Sequence, residues 1–166
     1  PGSRSVPTVE VDAVYFIGPF GQVFRINRKT QKADWIIDMH KRYPDAKTPH
    51  WGYAQSALIT GDILILTPFG KETGIIGVDK KTGKEIWKSG PIGDTHSTPT
   101  MMSFEGEEQV VILTTGGGLH SYAPETGKKL WSSKAYENRI PITIPMQVDG
   151  KRIFATGGYD AGSKML

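Results

Sequence analysis

The sequence predicts an all-β fold, four-stranded antiparallel blades of a β-propeller with about three and a half blades present, and three observations predict it. A turn closed by a tryptophan is repeated: residues Val78-Asp79-Lys80-Lys81-Thr82-Gly83-Lys84-Glu85-Ile86-Trp87 align with Tyr122-Ala123-Pro124-Glu125-Thr126-Gly127-Lys128-Lys129-Leu130-Trp131. Residues 26–35 are a degenerate third copy ending in Trp35, with Gln31 where the others have glycine, so the tryptophans recur at intervals of 52 and 44 residues. A second landmark opens each unit: Val6-Pro7-Thr8, Thr98-Pro99-Thr100 and Ile144-Pro145-Met146, with Ser56-Ala57-Leu58 in the same place without proline. The third is a polar turn before a short apolar run, as in Asp12-Ala13 before residues 14–17, Gly61-Asp62 before 63–66, and Asp149-Gly150-Lys151 before Ile153-Phe154.

Each unit therefore reads as strand A, hairpin turn, strand B, glycine turn, strand C, Thr-Gly turn, and strand D with its tryptophan. The units run over roughly 1–40, 53–90, 95–134 and 142–166, the last incomplete, within one partial propeller domain covering 1–166. In the third turn, Gly83 or Gly127 supplies a positive φ, and Asp79 can bond back to the backbone. Thr82 and Thr126 complete that turn, while Trp35, Trp87 and Trp131 offer flat surfaces suited to packing one blade on the next. A partial set of blades leaves open edges, so the expected partners are the remaining blades of the same protein or further copies of the chain. A start at Pro1, directly before a strand, fits a processed or excised piece.

Composition narrows the classes. The 37% hydrophobic residues mark a globular chain, and no apolar run approaches the roughly 18 residues of a spanning helix. The net charge of +3 is spread over turns rather than gathered on one stripe, which argues against nucleic acid as a partner. With no cysteine, disulfides, thiolate metal sites and cysteine nucleophiles are excluded.

The Asp-x-x-Thr-Gly-Lys-x-x-Trp signature, complete at Asp79, Thr82, Gly83, Lys84 and Trp87 and partial at Thr126, Gly127, Lys128 and Trp131, resembles the repeat of the pyrroloquinoline-quinone-like propellers. That superfamily includes quinoprotein alcohol dehydrogenases and the propeller lipoprotein of outer-membrane assembly. The stretch His50-Trp51-Gly52-Tyr53 with residues 67–72 resembles its secreted bacterial members. WD-type repeats fit less well, because no Trp-Asp dipeptide closes a unit. The resemblance implies a periplasmic or secreted location and another envelope protein as a partner. For the dehydrogenases it also implies a quinone stacked on tryptophan, calcium held by Glu and Asn, and an Asp base. Asp94 and Asn138 are the only nearby candidates for that set.

Antiparallel alternation places the A–B and C–D turns on one, plain face. The other face gathers the irregular segments: residues 38–55 with His40, Tyr43, His50, Trp51 and Tyr53, then residues 94–97, Asn138-Arg139, and the turns at 68–72 and 116–118. Propeller ligands lie at the channel mouth, so Trp51, Tyr53, Gln55, His96, Ser97 and Asn138 are the expected ligand-binding residues. His96 and Ser97 are adjacent on a strand and face opposite ways, so they make no nucleophile–base pair. His40, His50 and His120 lack metal-like spacing and are expected in loops or exposed; no catalytic or metal-ligating residue is assigned. Gly116-Gly117-Gly118 precedes a strand and reads as a tight turn, not a phosphate loop.

The expected function is a non-catalytic binding or scaffolding module of the bacterial envelope, without a cofactor. The alternatives are part of a pyrroloquinoline-quinone-dependent dehydrogenase using calcium, and an assembly module pairing through open blade edges.

Overall fold

The computed structural model describes residues 4–166; the start at Pro1 lies outside the described residues. Among the described residues there are fifteen strands, in four sheets, and one short helix, α1 (Met39–Arg42). The first sheet is β1 (Thr8–Val9), β2 (Ala13–Ile17), β3 (Gln22–Asn27) and β4 (Ala33–Asp38), in sequence order. The second is β5 (Leu58–Thr60), β6 (Ile63–Leu66), β7 (Ile75–Asp79) and β8 (Glu85–Ser89). The third is β9 (Thr100–Phe104), β10 (Glu107–Thr114), β11 (Gly118–Tyr122) and β12 (Lys129–Ser133). The fourth has three strands, β13 (Met146–Gln147), β14 (Ile153–Thr156) and β15 (Ser163–Met165). Every ladder is antiparallel. These are propeller blades, and they do not close a ring.

The Thr-Gly turn forms as its residues require. Asp79 Oδ1 accepts from the Lys81 and Thr82 amides and from the Thr82 hydroxyl, and Gly83 N donates to Asp79 O at φ +69°. The Thr82 hydroxyl, first among these, holds the Asp79 carboxyl below its ordinary range. Asn27 does the same for Lys29 and Thr30, and Gln31 adopts φ +57° where the other copies have glycine.

The tryptophans are the seams. Trp87 is opposite Gly77 in the β7–β8 ladder, and a Cβ at Gly77 or at Gly127 of the third blade would collide with its ring. The indole thus lies between a glycine of its own blade and one of the next. Its Nε1 donates to Pro124 O at 2.8 Å, and Trp35 Nε1 donates to the equivalent Lys80 O at 3.2 Å. Trp131 instead donates to Gln109 Oε1 in its own blade at 2.8 Å. Two buried clusters result: one runs through the first three blades, and a smaller one, with Val111, Leu113, Leu119, Ile153 and Ala155, joins the third to the fourth.

Two expectations change. The face read as plain carries a charged network: buried Arg25 pairs with Asp12 at 2.7 Å and with Asp34, and Lys80 pairs with Glu10 at 2.8 Å, tying the first blade to the second. Arg25 can be buried because two carboxylates and the Tyr15 hydroxyl meet its donors. His120 is neither in a loop nor exposed; it lies buried in β11, with Nε2 3.1 Å from Thr114 Oγ1.

Candidate functional site

The inner strands and the segments leading into them build the site. Counting back from the landmark positions Pro7, Ala57, Pro99 and Pro145, the third residues are Arg4, Ala54, His96 and Ile142, and the first are Val6, Ser56, Thr98 and Ile144. All eight line one cavity of about 510 Å³, joined there by Trp51, Ile140 and Tyr159. The residues between them, Ser5, Gln55, Ser97 and Thr143, lie just ahead of the strands and do not line the cavity. Their polar groups hold the blades: Ser97 Oγ donates to Thr143 O at 2.9 Å, Ser5 Oγ to Ile17 O at 2.6 Å, and Gln55 Nε2 to Thr95 O.

Hydroxyls on the lower tier also stitch neighbours together. Ser56 Oγ accepts from Val6 N at 3.1 Å, and Thr98 Oγ1 accepts from Ser56 N at 2.9 Å. The next position is Ile144, which has no acceptor, so the fourth blade enters without this link.

Of the expected residues, the structure brings Trp51 and His96 together at the cavity, their rings 5.4 Å apart. His50 packs edge-on to Trp51 at 4.9 Å, and Arg4 Nη1 donates to Trp51 O at 2.8 Å. Tyr53, Gln55, Ser97 and Asn138 lie buried beneath this surface rather than on it. Tyr53 OH donates to Lys47 O at 2.9 Å and its ring stacks with Phe69, while burial pushes its phenol up. Asn138 Oδ1 accepts from Ile140 N at 2.8 Å, fixing the segment that carries the isoleucines. Burial, then the positive charge of Arg4, pushes the His96 imidazolium down, so the ring is neutral near pH 7.

The long 38–55 connection is ordered by two carboxylates. Asp38 Oδ1 caps α1 by accepting from His40 N and Lys41 N, and His40 Nε2 meets Thr48 Oγ1 at 2.8 Å. Asp45 accepts from the Thr73 hydroxyl at 2.6 Å and from the amides of Glu72 and Thr73, which pins the connection to the second blade. A second cavity of about 320 Å³ lies beside Pro19, Phe20, Pro49 and His50, and shares Arg4 and Trp51 with the first. Sequence reasoning missed Arg4 and the isoleucines at 140, 142 and 144, although their spacing from the proline landmark carries the signal.

The residues present do not fit the calcium–quinone set. No carboxylate lines the cavity that holds Trp51 and His96, and among the described residues no three His, Asp or Glu side chains gather to hold a metal. Asn138 is committed to a backbone amide, and Asp94 is exposed. No step through that cofactor follows from these side chains.

The family model described as outer membrane protein assembly factor BamB matches residues 71–164. Among curated proteins, a quinoprotein ethanol dehydrogenase of Pseudomonas putida is 26% identical over 179 residues, 98% of this chain and 27% of its own length. BamB of Burkholderia pseudomallei is 24% identical over 139 residues, 83% of this chain and 31% of its own length. The crystal structure of BamB from Moraxella catarrhalis superposes with a TM-score of 0.58 at 16% identity, over 91% of this chain and 45% of that one. The chain thus spans about a third or less of these two curated relatives, and the solved structure shares its fold. With more than half of its residues inside the family model and the first three blades closed by the same turn and tryptophan, this chain belongs to the BamB family of pyrroloquinoline-quinone-like propeller repeats.

Proposed function

We propose that this chain is a non-catalytic propeller module of the bacterial envelope that binds a partner through the Trp51–His96 cavity on its irregular face. One observation carries the reading: four blades deliver equivalent positions to one cavity, and none of the side chains delivered is a carboxylate, a paired nucleophile or a metal set. Such a lining binds and does not react. Trp51 and His96 are the contact residues, while Tyr53, Gln55, Ser97 and Asn138 hold the surface from below. The envelope location follows from what the matched relatives are named for, outer-membrane assembly.

The remaining partner is structural. The first blade leaves Phe16, Phe24 and Ile36 side by side in register on its outer face, with Ile36 exposed. The fourth leaves Met146, Phe154 and Met165 in register, both methionines exposed. Faces of this kind are buried at every interior seam, so we assign them to further blades of the same protein.

A photo-reactive residue placed at position 51 or 96 of the full-length protein, in cells, tests the reading. A discrete cross-linked partner is expected from both positions and not from position 29 on the opposite face. Equal cross-linking from all three would overturn it. Titration with pyrroloquinoline quinone and calcium is the accompanying control; saturable quenching of tryptophan fluorescence would favour the dehydrogenase instead.

A further inference from the structure

We infer that the Trp51–His96 cavity takes an extended polypeptide bearing apolar side chains and a carboxylate, the carboxylate seated on Arg4; this rests on the binding reading above. The charge balance of the lining is the first argument. Arg4 lines both the 510 Å³ and the 320 Å³ cavities, and neither is lined by any Asp or Glu. Arg4 has no carboxylate partner among the described residues, and its Nη1 donates to the main-chain oxygen of Trp51, which also lines both cavities. Asp94, whose charge reaches His96, does not line either cavity. A permanent cation at an apolar surface, with no carboxylate paired to it, selects an anion.

The shape of the lining is the second argument. Ile140, Ile142 and Ile144 stand at every second residue of one segment and all three line the cavity, with Val6 joining them from the first blade. An elongated ligand such as an extended peptide can lay successive apolar side chains along this row. Residues 139–145 precede β13 and belong to no ladder; Pro141 O and Thr143 O accept from His96 N and Ser97 Oγ, which holds this wall in place. The two cavities meet at Arg4 and Trp51, so the path continues past the charge to the prolines and Phe20. Trp51, 48% exposed, offers the aromatic surface at that junction. A compact ligand would use one cavity, whereas the shared wall favours an elongated one.

The carboxylate could be the chain end of the peptide or an acidic side chain, and the test separates the two. Three peptides are titrated into the full-length protein by calorimetry and tryptophan fluorescence: an N-acetylated aromatic–aliphatic tetrapeptide with a free carboxyl terminus, its amide, and the amide with an internal aspartate. The free acid is expected to bind about ten-fold or more tightly than the plain amide, the value of one charge-assisted contact. If the aspartate amide recovers the affinity, a side-chain carboxylate suffices; if it does not, the chain terminus is the ligand. Arg4→Gln is expected to erase the acid–amide difference, Trp51→Ala to weaken all three peptides, and Lys29→Gln on the opposite face to change nothing. Equal binding of acid and amide, or an Arg4→Gln protein that keeps the difference, overturns the inference. No binding of any peptide also overturns it, while cross-linking at positions 51 and 96 would still support the broader reading.

Discussion

His120 shows how a single side chain can report on the whole fold. It sits in the middle of β11 with Nε2 against the Thr114 hydroxyl, and its Nδ1 is buried with no hydrogen-bond partner among the described residues. Burial, aided by the charge of Lys129, pushes its imidazolium down to about 4. The folded-state value lies below that of an unfolded histidine, near 6.5. The unfolded chain therefore binds a proton first as pH falls, so the stability this residue contributes is intact above about 6.5 and is lost between 6.5 and 4. The loss is at most about 3 kcal/mol for one such group. In urea unfolding at pH 7 and pH 4.5, His120→Gln is expected to lose less stability on acidification than the parent. An equal loss in both proteins would show that this ring does not control the response. His120 stands in Gly-Leu-His-Ser-Tyr, five residues all buried in the fold, and its sequence gave no alternation by which to read its burial. A strand covered on both faces looks the same residue by residue whichever way it is turned.

At the scale of the element, the turn glycines separate two effects usually lumped together. Gly61 and Gly127 both have positive φ, +54° and +67°, so alanine is strained at either. At Gly61 an added Cβ would meet nothing within 4 Å, whereas at Gly127 it would strike the Trp87 ring. Gly61→Ala is expected to cost about 1 kcal/mol from the backbone alone. Gly127→Ala is expected to cost about 2 kcal/mol more, because the seam must open to admit the methyl. Chemical unfolding measures both; equal losses would mean that the indole is not seated on that turn. The turn itself was legible: Asp79, Thr82 and Gly83 do in the structure what their residue types require. The helix α1 was not, because it is one turn of Met-His-Lys-Arg held by the Asp38 cap inside a long irregular connection.

Across the whole molecule, the four-blade order and the Trp51–His96 cavity come from one landmark. Positions three and one before Pro7, Ala57, Pro99 and Pro145 line the cavity, and the position between them does not. That alternation places His96 at the cavity and Gln55 and Ser97 beneath it, and it could have named Arg4, Ile142 and Ile144 as well. Trp51, six residues before Ala57, is out of phase with it and reaches the cavity from the irregular connection. The depth of Tyr53 and Asn138 could not be read in this way. Tyr53 and Asn138 lie before the strands proper, where hydrogen bonds to Lys47 O and Ile140 N, and not strand period, decide which way a side chain turns. The charged pairs Arg25–Asp12 and Lys80–Glu10 join residues 13 and 70 positions apart, so no local pattern announces them.

The division of the apolar interior into two clusters bears on how the molecule comes apart. Sheets stacked face to face touch only their neighbours, so their stabilities add as links in a row. The first three blades share one cluster, two indoles donating across seams and two hydroxyl links; the fourth has a smaller cluster, no indole donating to it and Ile144 where a hydroxyl would be, and is held by Ser97–Thr143 and by Gln147 on the Ser103 backbone. The seam between the third and fourth blades is therefore expected to open before the seams among the first three. Hydrogen exchange followed by mass spectrometry is expected to label the amides of β14 well before those of β6 under native conditions. Matching exchange rates would mean that the stack opens as one body, with no weak link for a partner to find or release.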